Sequence, residues 1–281
     1  MGPGWTWESV WPAPAKLNLF LHVIGRRPDG YHRLQTLFRL LDFGDTLRFS
    51  PRDDGTIALA NPLPGVSPEA DLAVRAARLL QMETGARQGV TIHLEKRIPV
   101  GGGLGGGSSD AATTLIALNH LWDLGLSRKC LRILGLRLGA DVPVFVLGRN
   151  AFAEGVGENL IPTVLPEAWY LILKPPVSIP TATIFAVPDL CRDTPPIRFS
   201  GWHPGFGRND LEPVACRLYP EVAESLAWLR ARARNATSCR MSGSGACVFA
   251  EFEREAEARI LWEELPEGWR GWVVGGIRHP L

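Results

Sequence analysis

The chain reads as an α+β protein of two lobes, and three observations carry that reading. Segments with the two-residue period of strands are interleaved with segments of helical period. The strands are too irregularly spaced for a barrel, and no repeat or low-complexity tract is present. Composition shifts around Pro162 to Pro166, which places a boundary between an N-terminal lobe, 1–162, and a C-terminal lobe, 163–281. With 46% hydrophobic and 21% charged residues, the 281-residue chain has the material for a sizeable core.

The elements follow in order. Residues 15–24 alternate, with Leu17, Leu19, Leu21 and Val23 on one face and Lys16, Asn18, Phe20 and His22 on the other. Arg27-Pro28-Asp29-Gly30 signals a turn, after which 33–42 and 46–50 are extended. Asp53-Asp54-Gly55 turns the chain into a strand at 56–60. Ser67-Pro68-Glu69 has the form of an N-cap, a first-turn proline and an acidic first turn, and predicts a helix burying Leu72, Ala76 and Leu79. A strand at 90–98 precedes a glycine run. The helix after it starts at Ser108 and aligns Ala111, Leu115, Leu118 and Trp122. A second helix spans 127–138, and 144–147 is expected to be a strand. A strand at 151–153 and the turn Gly155-Val156-Gly157-Glu158 end the first lobe. In the second lobe, 169–174 is a strand, 192–208 an irregular loop and 221–233 a helix. The pattern ends β-turn-β-α-β over 240–276, with Ser242 to Gly245 as the turn.

Composition removes several function classes. A net charge of +1 gives no footprint for nucleic acid or an anionic membrane. The five cysteines form no CxxC pair, which suits a reduced cytoplasmic setting. No HExxH or paired histidine spacing suggests zinc. Residues 1–11 lack the basic and apolar regions of a signal peptide, and no stretch is long and apolar enough to span a membrane. Only Lys16, Lys96, Lys129 and Lys174 are lysines, so each invites an explanation.

The most informative segment is Pro99-Val100-Gly101-Gly102-Gly103-Leu104-Gly105-Gly106-Gly107-Ser108-Ser109-Asp110. Six of its twelve residues lack a Cβ, an entropic cost that close approach to a ligand would justify. Strand, glycine loop and helix start together place a phosphate at the positive end of a helix dipole. The hydroxyls of Ser108 and Ser109 either add donors or simply cap the helix. A Rossmann unit would need a second strand after the helix, but another helix follows. A Walker loop would need Gly-Lys-Ser/Thr, and no lysine follows these glycines.

What remains resembles the GHMP kinases of small metabolites. The family's N-terminal motif is matched by Pro14-Ala15-Lys16-Leu17-Asn18-Leu19, and its C-terminal glycine turn by Met241-Ser242-Gly243-Ser244-Gly245-Ala246-Cys247-Val248-Phe249. Four segments, Pro14 to Phe20, Arg27 to His32, Leu138 to Phe145 and Phe152 to Glu158, resemble the branch that phosphorylates the 2-hydroxyl of a cytidylyl methylerythritol, as does Asn209-Asp210-Leu211-Glu212. The resemblance covers about residues 11–277. It implies a two-lobed fold with a ribosomal protein S5 domain 2-like N-terminal lobe and a ferredoxin-like C-terminal lobe. It also implies ATP as co-substrate, Mg²⁺ of unknown ligands, and a monomer or weak homodimer without nucleic-acid or membrane partners.

The resemblance assigns roles to individual residues. Asp141 would be the general base toward the acceptor hydroxyl, or orient it. Lys16 would keep Asp141 ionised and counter charge on the moving phosphoryl group, where otherwise it would be a lysine snorkelling from an edge strand. Asn18 would bond the acceptor or the aspartate. Pro99 through Ser109 would hold the nucleotide phosphates. Tyr31, His32 and Phe185 would enclose the cytosine, with Thr181 near the diphosphate or sugar alcohol. The chain departs from the family at Asp71, where relatives often carry asparagine, so Asp71 is left out of the site. Rival readings are a homoserine- or mevalonate-type GHMP kinase, a non-catalytic relative binding ATP and sugar, and a dinucleotide-dependent oxidoreductase.

Overall fold

A computed structural model of the chain describes residues 4–63 and 65–277. Residues 1–3 of the N-terminal stretch just considered lie outside the described residues. The chain forms two compact units, each assembled from separate stretches of sequence. One comprises Met1–Ala15, Gly44–Ile98 and Gly105–Gly148, the other Lys16–Phe43, Pro99–Leu104 and Arg149–Leu281. Two long strands, β1 (Trp11–Arg26) and β2 (His32–Arg52), contribute residues to both.

In the first unit, β2 pairs antiparallel with β4 (Gly89–Glu95), from Thr46 opposite Glu95 to Arg52 opposite Gly89. The short β3 (Ile57–Leu59) joins β4 in parallel. Four helices complete the unit: α1 (Leu72–Thr84), α2 (Gly106–Leu121), α3 (Arg128–Leu138) and α4 (Val142–Leu147). Small residues let α1 and α2 pack closely, since Ala73, Ala76, Ala77, Ala111, Ala112 and Ala117 are all buried.

In the second unit, residues 34–38 of β2 pair with β5 (Ala151–Gly155), which turns into β6 (Asn159–Pro162). There follow β7 (Trp169–Leu173), α5 (Thr181–Ala186), α6 (Glu212–Leu218), α7 (Pro220–Arg232), β8 (Ser238–Met241), β9 (Val248–Phe252), α8 (Glu255–Glu263) and β10 (Gly271–Gly275). Their antiparallel sheet has the order β10-β7-β9-β8, the arrangement of a split βαβ ferredoxin-like lobe. Leu226 and Leu229 of α7 and Leu261 of α8 belong to the core built on that sheet.

Several local expectations change. Residues 144–147 are helical, not extended. A short apolar run is equally compatible with a buried helix, and Pro143 sits in the first turn of α4, where no N–H is needed. Helix α1 starts at Leu72, capped by Asp71, whose carboxylate accepts from Ala73 N at 2.8 Å and Val74 N at 3.3 Å. The Ser67 signal makes a turn instead, and Leu72 is only half-buried. Helix α2 starts at Gly106, so Ser108 and Ser109 lie inside it and cap nothing. The strands at 33–42 and 46–50 are one, continuous through Gly44, where a Cβ would come within 2.7 Å of Pro14 Cα. The first strand is longer than its pattern suggests and buried on both faces, so Lys16, Asn18 and His22 are interior. Helices α5 and α6 have no counterpart among the expected elements.

Candidate active site

The glycine loop leaves its strand at Pro99 and turns through left-handed backbone at Gly101, Gly103 and Gly105 (φ +66°, +73° and +75°). A β-carbon on Gly103 would press into Ser242 O and lie 3.0 Å from Gly245 O, so the close approach itself demands glycine. Gly102 packs as tightly, with the Cys247 sulfur 2.7 Å from where a Cβ would sit, while Val100 is exposed and Leu104 buried. Gly105 is the N-cap of α2 and has no side chain to satisfy the first-turn amides of Gly106, Gly107 and Ser108. Those N–H groups lie at the positive end of a sixteen-residue helix, where negative charge is favoured. Ser109 Oγ is buried there without a hydrogen-bond partner. Within the same unit, the Ser108 hydroxyl faces Gly139, 3.6 Å from where its Cβ would be. Two residues further, Asp141 is the N-cap of α4 and half-buried.

In the second unit, Lys16 is 2% exposed, so it does not snorkel. Its ammonium donates to Asn18 Oδ1 at 2.6 Å and to Gly103 O at 3.0 Å, and stands 5.6 Å over the Phe38 ring. Asn18 Nδ2 donates to Thr36 Oγ1 at 2.8 Å, which fixes the amide's orientation. The Ser242 hydroxyl donates to Gly103 O at 3.1 Å and accepts from Asn18 N at 3.3 Å. Gly243 lies against the same group, its Cβ position 3.4 Å from Lys16 Nζ. Strand β1, the glycine loop and the turn between β8 and β9 therefore meet around one buried cation.

The aromatic residues are also in this unit. His32 stacks on Phe185 with ring centroids 4.8 Å apart, while Tyr31 stands 64% exposed on the preceding turn. Arg192 Nε donates to His32 Nε2 at 3.0 Å, and the same guanidinium donates to the carbonyls of Phe185 and Val187. Burial, with smaller contributions from Arg192 and Arg26, lowers the His32 pKa and so favours the neutral imidazole. Thr181 Oγ1 and Ser244 Oγ are 2.7 Å apart. Arg192 and Ser244 carried no signal of their own: the first lies in an irregular loop, the second in a turn whose sequence shows only glycine spacing.

A charged cluster also sits at the base of α2. Lys96 Nζ donates to Asp45 Oδ2 and, at 2.7 Å, to Asp110 Oδ2, and is 3.2 Å from a Cβ position on Gly106. Asp45 Oδ1 accepts from Ile98 N at 2.7 Å, and Asp110 Oδ1 is buried without a partner. Burial raises the Asp110 carboxyl to about 7 against the pull of Lys96, and neighbouring Asp45 pushes it the same way. The lysine missing from the glycine loop's sequence is thus present in space beside its helix, though bound to two carboxylates. Among the described residues no group of three or more His, Cys, Asp or Glu is placed to hold a metal ion, and no helix is long and apolar enough to cross a membrane.

Residues 71–149 match the family model of the GHMP kinases N terminal domain, and 199–271 that of the GHMP kinases C terminal. A protein of Dechloromonas aromatica (strain RCB) called 4-diphosphocytidyl-2-C-methyl-D-erythritol kinase is 60% identical over 273 residues, covering 97% of this chain and 98% of its own. One of the same name from Nitrosospira multiformis is 60% identical over 98% of this chain and 93% of its own. A crystal structure of 4-(cytidine 5'-diphospho)-2C-methyl-D-erythritol kinase superposes with a TM-score of 0.82 at 38% identity, covering 95% of this chain and 99% of that one. The mevalonate kinase of Methanococcus jannaschii shares the fold, with a TM-score of 0.67 at 13% identity over 96% of this chain and 98% of its own.

Proposed function

The chain belongs to the GHMP kinase family, and from that premise we propose that it transfers the γ-phosphoryl group of ATP to the 2-hydroxyl of 4-diphosphocytidyl-2-C-methyl-D-erythritol. It is an ATP-dependent small-molecule kinase of isoprenoid precursor synthesis. The observation that carries the chemistry is the Lys16 ammonium, buried and bonded to the Gly103 carbonyl of the glycine loop. A cation held there counters the charge that spreads over the phosphoryl oxygens in the transition state. The uncapped first turn of α2 supplies N–H donors for the phosphates of ATP.

Asp141 accepts the proton of the acceptor hydroxyl or orients it. His32, Phe185 and exposed Tyr31 make the base pocket, and Thr181 bonds the substrate beyond the base. Mg²⁺ would accompany ATP and take few ligands from the protein. The buried hydroxyl of Ser109, unpartnered in the first turn of α2, fits it as a protein ligand. When bound, the ion neutralises phosphate charge. We further propose a cytoplasmic monomer or weak homodimer, a setting the five free cysteines favour.

An ADP-release assay with the cytidylyl methylerythritol, mevalonate and homoserine tests the assignment. Turnover is expected with the first alone. Lys16→Ala and Asp141→Asn should each lower kcat by a factor of about 100 or more, with nucleotide binding by titration retained. Near-normal turnover by either variant would remove that residue from the chemistry.

A further inference from the structure

We propose that Asn209 is a positioning residue for Lys16, which it serves by holding the Ser242–Gly245 turn at a set distance from strand β1. The inference rests on the kinase reading above and adds to it a residue that never touches substrate. Asn209 is 2% exposed, and its amide is fully committed. Nδ2 donates to Met241 O at 2.9 Å and to Gly243 O at 2.7 Å, while Oδ1 accepts from Leu211 N at 2.9 Å. One side chain therefore ties both flanks of Ser242. Ser242 and Gly243 are the residues that bond or abut Asn18, Gly103 and Lys16.

The other half of the argument is what holds Asn209. Its neighbours are stitched to the strand that carries Lys16: Leu21 N donates to Arg208 O at 3.0 Å, and Asp210 N to Leu21 O at 2.8 Å. The Asp210 carboxylate accepts from Val23 N at 2.8 Å and Thr194 Oγ1 at 2.7 Å. Asn209 is thus registered on β1 through its backbone and on the glycine turn through its side chain. It acts as a ruler between the cation and the turn that receives it.

Only a side chain with two donors can do this. Aspartate at 209 would set an acceptor against two carbonyl oxygens, and regains one donor only when protonated. The test measures kcat and KM for ATP and for the cytidylyl substrate in Asn209→Ala and Asn209→Asp, across pH, with thermal melts and active-site titration. The expected result is a fall in kcat per titrated site of at least tenfold in Asn209→Ala, with KM for the cytidylyl substrate within threefold. Asn209→Asp should be impaired more at high pH and partly recover as pH falls, through an ionisation absent from the wild type and Asn209→Ala. A kcat per site within twofold of wild type in Asn209→Ala would overturn the proposal, even with a lowered melting temperature. So would an Asn209→Asp profile parallel to that of the wild type. Failure of the kinase reading itself would show separately, as an inactive wild type, whereas a fully active Lys16→Ala would overturn the role that Asn209 is proposed to serve.

Discussion

Burying Lys16 is costly, because an ammonium taken from water needs partners for its donors. Asn18 Oδ1 and Gly103 O supply two, and the face of Phe38 adds a favourable quadrupole. The alternation of 15–24 singled out Lys16 and Asn18 correctly as a pair on one face. It could not show that this face is interior, since alternation looks the same whether the second face meets solvent or protein. His32 and Phe185 illustrate the opposite case. They are 153 positions apart and carry no joint signal, so their pairing rested on family likeness until the rings were seen stacked. If they and Tyr31 hold the base, Tyr31→Ala and Phe185→Ala should each raise KM for the cytidylyl substrate about tenfold, through lost aromatic contact worth about 1 kcal/mol or more. KM for ATP should stay within twofold, and equal rises in both constants would reject the pocket.

At the scale of elements, local rules succeeded where a helix had one face to bury and one cap to make. The helix expected over 127–138 forms as α3, with Ser127 just outside it as the N-cap, accepting from Cys130 N at 3.2 Å. For α1 two caps competed, and Asp71 prevailed over Ser67 because it stands directly before the buried stripe of Ala73, Ala76 and Leu80. The residue set aside as a departure from the family thus has a structural task. Asp71→Ala should cost about 1 kcal/mol of stability and Asp71→Asn almost none, both read from urea unfolding midpoints. An alanine variant as stable as wild type would show the cap to be idle. Helix α4 escaped detection because six apolar residues do not distinguish a buried helix from a buried strand. α5 and α6 were hidden by their prolines and short length.

Across the whole molecule, the cluster of Lys96, Asp45 and Asp110 makes stability depend on pH. Asp110 titrates near 7 when folded and near 4 when unfolded, so the folded chain binds more protons between those values. Stability should therefore fall as pH rises from about 4 to about 7 and level off above. Asp110→Asn, which leaves Lys96 paired with Asp45, should flatten that slope in melting temperatures recorded from pH 5 to 8. An unchanged slope would assign the dependence to other groups. The chain's two compact units are discontinuous in sequence, whereas the lobe boundary we propose at 162–163 falls between the two matched family segments.

Most of the local elements, the glycine loop, its failure to be a Walker or Rossmann loop, and the family itself were legible from the chain alone. Each is written in neighbouring residues, as a period, a cap or a short motif. The placement of Lys96 beside Gly106, of Arg192 against His32, and of Asn209 across the turn at Ser242 was not. These pairs join positions 10, 160 and 33 residues apart, and no periodicity or propensity links them. Their partners are set by how sheets and loops pack, where buried donors must find acceptors wherever the fold brings them.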